Sequence, residues 1–241
     1  MDVRAVLADV AALGPFFTVR TGAAESADPT WQPFAALEVD GPPLRRRIAH
    51  VRRALGGDAA VEPRVAASIA FQGVAGVIVS PAFAAAVLHG VVPSLGPDDL
   101  HWRDSATGPL PLRAAAPTGA PVGDAGEAAE GLGELYDRHL PALVDAVREI
   151  AGVSPKVLWG NVASVIAGTT RMVTTGRPAA AGRAASVASL LLDRSPLVGS
   201  GVRSPARPPD VHWTFRRRSC CLFYRVPGGG YCGDCVLGER S

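Results

Sequence analysis

Four cysteines hold the chemistry this sequence can be expected to do. In a chain of 241 residues they all fall within the last 22, at Cys220, Cys221, Cys232 and Cys235, with the spacing C-C-x10-C-x2-C. No cysteine occurs in the preceding 219 residues, so the grouping asks for a local explanation. Three chemistries use four thiols. Disulfides need an oxidising compartment, and Asp2, Arg4 and Asp9 interrupt the start of the chain where a secretory signal would be apolar. A bridge between adjacent cysteines, whose Cα atoms lie only about 3.8 Å apart, would also strain the backbone. A structural zinc takes four thiolates, and Cys232-x-x-Cys235 has knuckle spacing, but Cys220-Cys221 lacks the intervening residues that turn two thiolates inward. A [2Fe–2S] cluster also takes four thiolates, around a longer and less symmetric centre. Adjacent side chains in extended backbone point to opposite sides, so this chemistry requires a bend at Cys220-Cys221. Gly228, Gly229, Gly230 and Gly233 let backbone N–H groups come close to sulfur. On residue chemistry alone all three stay open, with the cluster ahead.

Arg216, Arg217, Arg218 and Arg225 flank the cysteines. A four-thiolate cluster is anionic and becomes more so on reduction, so nearby guanidiniums favour its reduced form. Exposed ones would also steer an acidic donor protein. The alternative is an ordinary solvated basic strand end. His212 stands eight residues before Cys220, but a full cysteine set leaves it no ligand vacancy. Asp234, between Cys232 and Cys235, fits beside an anionic centre only if it faces solvent or a backbone turn.

The elements that must position this tail are mainly helical. Helical apolar spacing marks Asp2–Leu13, Leu44–Leu55 and a stripe from Leu132 to Ile150. Ser154-Pro155 starts a helix running to about Val173, and another spans Arg183–Asp193. Two core helices, Pro63–Val79 and Pro81–Gly90, are expected on either side of Ser80-Pro81. This stretch is long enough to span a bilayer, but its apolar density comes mostly from alanine, so no stable membrane span is expected. Phe34–Val39 reads as a short strand, and Leu100–Trp102 with Pro109–Arg113 as a small hairpin. Residues 114–131, rich in Ala, Gly and Pro, read as a mobile loop. Val211, Trp213 and Phe215 alternate with polar residues as a strand does, and both aromatics read as core, with a seat for an apolar chelate as the alternative. The expectation is an α+β, mainly helical protein: a body over 1–195, a Pro/Gly-rich linker or loop over 196–209, and a cluster-binding segment over 210–241.

Composition limits the function. With 48% hydrophobic and 19% charged residues, the chain is neither disordered nor fibrous. A formal charge of +2 gives no bulk electrostatic reason to bind nucleic acid. The basic face of Leu44–Leu55 reads as a solvated helix surface, with no helix-turn-helix around it. There is no HExxH, GxSxG or GxxxxGK motif, so hydrolytic and nucleotide-driven chemistries lack their machinery.

The run Arg218-Ser219-Cys220-Cys221-Leu222-Phe223-Tyr224 through Pro227-Gly228-Gly229-Gly230-Tyr231-Cys232-Gly233-Asp234-Cys235 resembles the C-terminal segment of the FhuF-type ferric-siderophore reductases. Leu158-Trp159-Gly160-Asn161 and Leu88-His89-Gly90-Val91-Val92-Pro93 resemble motifs in the helical body of that family. The resemblance implies a [2Fe–2S] cluster on Cys220, Cys221, Cys232 and Cys235. It further implies one-electron reduction of a hydroxamate-type ferric siderophore in the cytoplasm. Electrons would come from a partner, a ferredoxin or a flavin reductase. Asn161 is expected either to hydrogen-bond across to the tail or to line the substrate cleft, and Trp159 to pack.

Overall fold

A computed structural model describes residues 1–22, 28–56, 60–97, 99–208 and 210–238. The fold is α+β and mainly helical. Its helices are α1 (Val3–Val10), α2 (Pro42–Gly56), α3 (Pro63–His89), α4 (Ala125–Ala151), α5 (Pro155–Gly176) and α6 (Ala181–Leu192). Helix α3 runs through the centre, with α2, α4 and α5 packed against it and α6 against α4 and α5.

The sequence predicts a break at Ser80-Pro81, yet α3 is one continuous helix. A proline inside a helix costs about 3 kcal/mol. Against this, Val77, Ile78 and Val79, consecutive and so on different sides of the helix, are all buried, as are Phe71 and Phe83, each contributing roughly 1.5–3 kcal/mol. Cross-ties to two neighbouring helices hold the chain just before the proline. Ser80 Oγ hydrogen-bonds Thr169 Oγ1 on α5 at 2.9 Å, and the Tyr136 hydroxyl of α4 donates to the Val79 carbonyl at 3.2 Å. Among the described residues α3 is the one helix long and apolar enough to cross a membrane, but 83% of its most apolar window is buried inside the protein. It is the core helix of this fold.

Among the described residues three small sheets complete the body and tail. Strands β4 (Leu100–Trp102) and β5 (Leu112–Ala114) pair antiparallel, as the predicted hairpin requires. Strands β1 (Val19–Arg20) and β2 (Gln32–Pro33) extend them to the order β1-β5-β4-β2. Phe34–Leu37 is a 3-10 turn instead of the predicted strand. Its three-residue repeat puts Phe34 and Leu37 on the same side, and both are fully buried.

The predicted loop over 114–131 is largely ordered. Strand β6 (Gly119–Pro121) pairs with β3 (Val91–Pro93), and α4 begins at Ala125. Asp124 accepts from the Glu127 N–H at 2.9 Å, and Glu127 Oε2 accepts from the Gly123 N–H at 2.7 Å. This reciprocal cap satisfies donors that would otherwise be unpaired.

The tail begins as a hairpin. Strand β8 (Trp213–Arg217) pairs with β7 (Gly201–Pro205), which lies inside the 196–209 stretch expected as linker or loop. Gly201 lies beneath Phe215, where a Cβ would fall 2.2 Å from Cζ of the ring. Arg203 reaches Asp193 at 2.7 Å, and Arg171 on α5 reaches Asp210 at 2.6 Å, so both arms are tied to the body. Pro209 of the expected linker and residues 239–241 of the expected tail lie outside the described residues.

Candidate metal centre

Strand β8 delivers the chain to Cys220 and Cys221, and Leu222 then turns it. Leu222 has φ of 73°, the one positive value among the described non-glycine residues. This conformation costs an L-residue about 1–2 kcal/mol. It supplies the bend that two adjacent cysteines need. The turn also aims the Leu222 N–H at Cys220 Sγ, 3.3 Å away. The same local arrangement recurs at the second pair, where the Leu237 N–H donates to Cys235 Sγ at 3.3 Å. Between them Gly228, with φ of 69°, turns the loop back, and the Cys235 N–H bonds the Cys232 carbonyl at 3.0 Å.

All four thiols are free; Cys221 and Cys235 are buried, Cys220 and Cys232 half-buried. Cys221 Sγ and Cys232 Sγ stand 3.8 Å apart. Two thiolates on one tetrahedral metal, at bonds of about 2.3 Å, are separated by about 3.8 Å. Among the described residues no three His, Cys, Asp or Glu side chains converge as a closed single-ion site requires.

The proton shared by the close pair holds the Cys221 thiol down at about 6, helped by the Phe223 N–H and the Arg217 charge, while it pushes Cys232 up. Burial raises Cys220. Of these three thiols, Cys221 is the one drawn towards the thiolate that binds metal.

Behind the cysteines lies a buried polar relay. The Arg217 guanidinium donates through Nη2 to Asn161 Oδ1 on α5. Asn161 Nδ2 donates to the carbonyl and hydroxyl of Ser68 on α3, both at 3.0 Å. Ser68 Oγ in turn donates to the Cys221 carbonyl at 2.9 Å. Ser68 and Asn161 are fully buried and Arg217 is 1% exposed. Gly160 lets the tail come this close, since a Cβ there would fall 2.0 Å from Ser219 Oγ. The Trp159-Gly160-Asn161 run therefore has a physical reading: Gly160 admits the tail, Asn161 anchors it, and Trp159 packs against the core.

The four arginines separate. Arg217 is buried, and its Nε and Nη1 have no hydrogen-bond partner within the protein. Arg216 donates to the carbonyls of Val236 and Gly238 at 2.9 and 2.8 Å, which holds the end of the tail. Arg218 is exposed, and Arg225 reaches Glu62 at 3.2 Å at the start of α3. Phe215 is core, as expected, and Trp213 is half-buried against it. Exposed His212 lines a small hollow that contains no cysteine. His89 pairs with Asp9 at 2.9 Å.

Residues 217–237 match the family model described as FhuF 2Fe-2S C-terminal domain. The tail is a FhuF-type [2Fe–2S] domain. Its cofactor is a [2Fe–2S] cluster, and the four free thiols, the two N–H···S contacts and the unpaired donors of Arg217 all suit that group. Among curated proteins none matches this chain. Gly228, Gly230 and Gly233 of the FhuF-type tail also happen to fall at G-x-G-x-x-G spacing, but no helix opens there to receive a dinucleotide phosphate. Ser68 carries no sequence signal of its own; it is one of several small residues on an alanine-rich helix, and only the packing of α3 on α5 singles it out.

Proposed function

We propose that this chain is a ferric-siderophore reductase of the cytoplasm, with Cys220, Cys221, Cys232 and Cys235 as the cluster ligands. Bound there, the [2Fe–2S] cluster supplies one-electron chemistry. The substrate is Fe(III) in a hydroxamate siderophore. Its hard oxygen donors hold Fe(II) far more weakly, so one electron is enough to loosen the complex. A ferredoxin or a flavin reductase supplies that electron.

The observation that carries this reading is the anchoring of a FhuF-type cysteine set on a fully buried relay. Cys221 and Cys232 stand 3.8 Å apart, a separation compatible with two thiolates on one tetrahedral metal. The relay fixes the Cys221 backbone, the Leu222 and Leu237 N–H groups fix two sulfurs, and the Arg217 charge favours added negative charge beside it. Arg218 and Arg225 are the members of the arginine group placed at the surface, where an acidic donor protein docks.

Protein purified without oxygen should carry two irons and two acid-labile sulfides per chain and give an EPR signal on reduction. Mixed with a ferric trihydroxamate, the dithionite-reduced protein should reoxidise as Fe(II) is trapped by a ferrous-selective chelator. A colourless chain with one zinc, or a reduced protein that ferric chelates leave unchanged, would overturn the reading.

A further inference from the structure

The Gly233-Asp234 turn, set between Cys232 and Cys235, forms one wall of a cleft of about 570 Å³. The other walls are α3, α5 and the two 3-10 turns over residues 11–17. This volume lies within the roughly 300–1,000 Å³ of small-molecule sites. Glycine opens it: a Cβ at Gly73 on α3 or Gly168 on α5 would meet no atom within 4 Å. Its end is closed by Phe16, which packs so tightly on Gly76 that a Cβ there would meet the ring at 3.0 Å. Phe16 and Met172 line it yet stay 40% and 49% exposed. Two large apolar side chains are thus held in water beside an apolar cavity, where the apolar arms of a ligand would cover them.

The charge of the cleft selects among ligands. Arg171 and Asp234 are the residues with charge-bearing side chains in its described lining. Arg171 is already gripped by both oxygens of Asp210, at 2.6 and 3.3 Å. An anionic chelate would therefore find a neutralised guanidinium and face the Asp234 carboxylate. A complex whose iron centre is uncharged, three hydroxamates around Fe(III), meets no such penalty.

We propose that this cleft seats the ferric chelate and takes complexes that are uncharged at the metal. The assignment rests on the reductase reading above. The seat needs no side chain to touch the iron: Gly233 and Asp234 in its wall are each next in sequence to a cysteine, Cys232 and Cys235. In the reaction, Fe(III) in the seat gains one electron and becomes Fe(II), the ferredoxin or flavin donor loses one, and no bond or proton moves in that transfer.

The test uses full-length, cluster-loaded protein and gallium(III) complexes, which share the charge of the ferric ones but cannot be reduced. Binding of a gallium(III) linear trihydroxamate and of a gallium(III) tris-catecholate is measured by calorimetry, with iron and sulfide assayed on each sample. Gly73→Leu and Gly168→Leu fill the cleft from separate helices, so one remains decisive if the other disturbs cluster loading. Leucine is also the better helix former at both positions. Gly182→Leu, on the exposed side of α6, is the control. The expected result is a trihydroxamate dissociation constant raised about ten-fold or more by a cleft filler and unchanged by Gly182→Leu, with the tris-catecholate about ten-fold weaker than the trihydroxamate on the unaltered protein. Undiminished binding by both fillers would overturn the seat and leave the reductase reading standing. Tris-catecholate binding as tight as trihydroxamate would overturn the charge assignment. Failure of the unaltered protein to bind either complex would overturn the seat and the reductase reading together.

Discussion

Arg217 gives its guanidinium to the side-chain oxygen of Asn161, 56 residues earlier in the chain, at a point that water does not reach. Asn161 suits this place because it accepts on one side and donates on the other, so a single amide joins β8 to α3 through Ser68. An aspartate would pair with the arginine but lose both donations to Ser68.

Asn161→Leu keeps the volume and removes both functions, which leaves a buried guanidinium uncompensated. The expected loss is about 3 kcal/mol in chemical denaturation, with reduced iron content. Ser68→Ala removes one neutral hydrogen bond and should cost about 1 kcal/mol. The double variant should cost less than the sum, because the two residues share one network.

Gly160→Ala should displace the tail from α5, since its Cβ would fall 2.0 Å from Ser219 Oγ. Purified protein should hold markedly less iron and sulfide while far-UV circular dichroism stays unchanged. Adding Ser219→Ala removes the obstructing oxygen and should restore the cluster. Failure of that rescue would show that the clash is not what excludes a side chain at Gly160.

Arg217→Gln keeps a donor for Asn161 and deletes the positive charge. The Arg217 charge acts on the Cys221 sulfur, so removing it should lower the reduction potential by on the order of 50–100 mV. Arg217→Lys should fall less. Arg218→Gln, at an exposed position, should move the potential by less than about 20 mV, because solvent and salt screen it. Spectroelectrochemical titration of the three variants measures all of these shifts.

Serine at any one of Cys220, Cys221, Cys232 or Cys235 should abolish acid-labile sulfide and the EPR signal of the reduced protein. The helical body should persist, since its core is built from other residues. Stable retention of two irons and two sulfides in any of these variants would remove that cysteine from the ligand set.

The sequence by itself determined what depends on neighbours along the chain. The C-C-x10-C-x2-C spacing marked the cofactor segment, helical periodicity located α2, the Ser154-Pro155 start located α5, and alternation located β8. The Asp124-x-x-Glu127 cap was equally local and announces the start of α4 within a stretch whose composition suggests a loop. Tertiary structure decided the rest, because these features depend on energies that no local pattern contains. Burial on several faces carries α3 straight through Pro81. Contact between β8 and α5 gives Gly160 and Asn161 their purpose, and the crossing of α3 and α5 selects Ser68. The cleft exists only where Gly73 and Gly168, 95 positions apart in the sequence, face one space beside the Gly233-Asp234 turn. A hydrogen bond or a cavity is a relation between segments, and its energy appears only once the chain has brought them together.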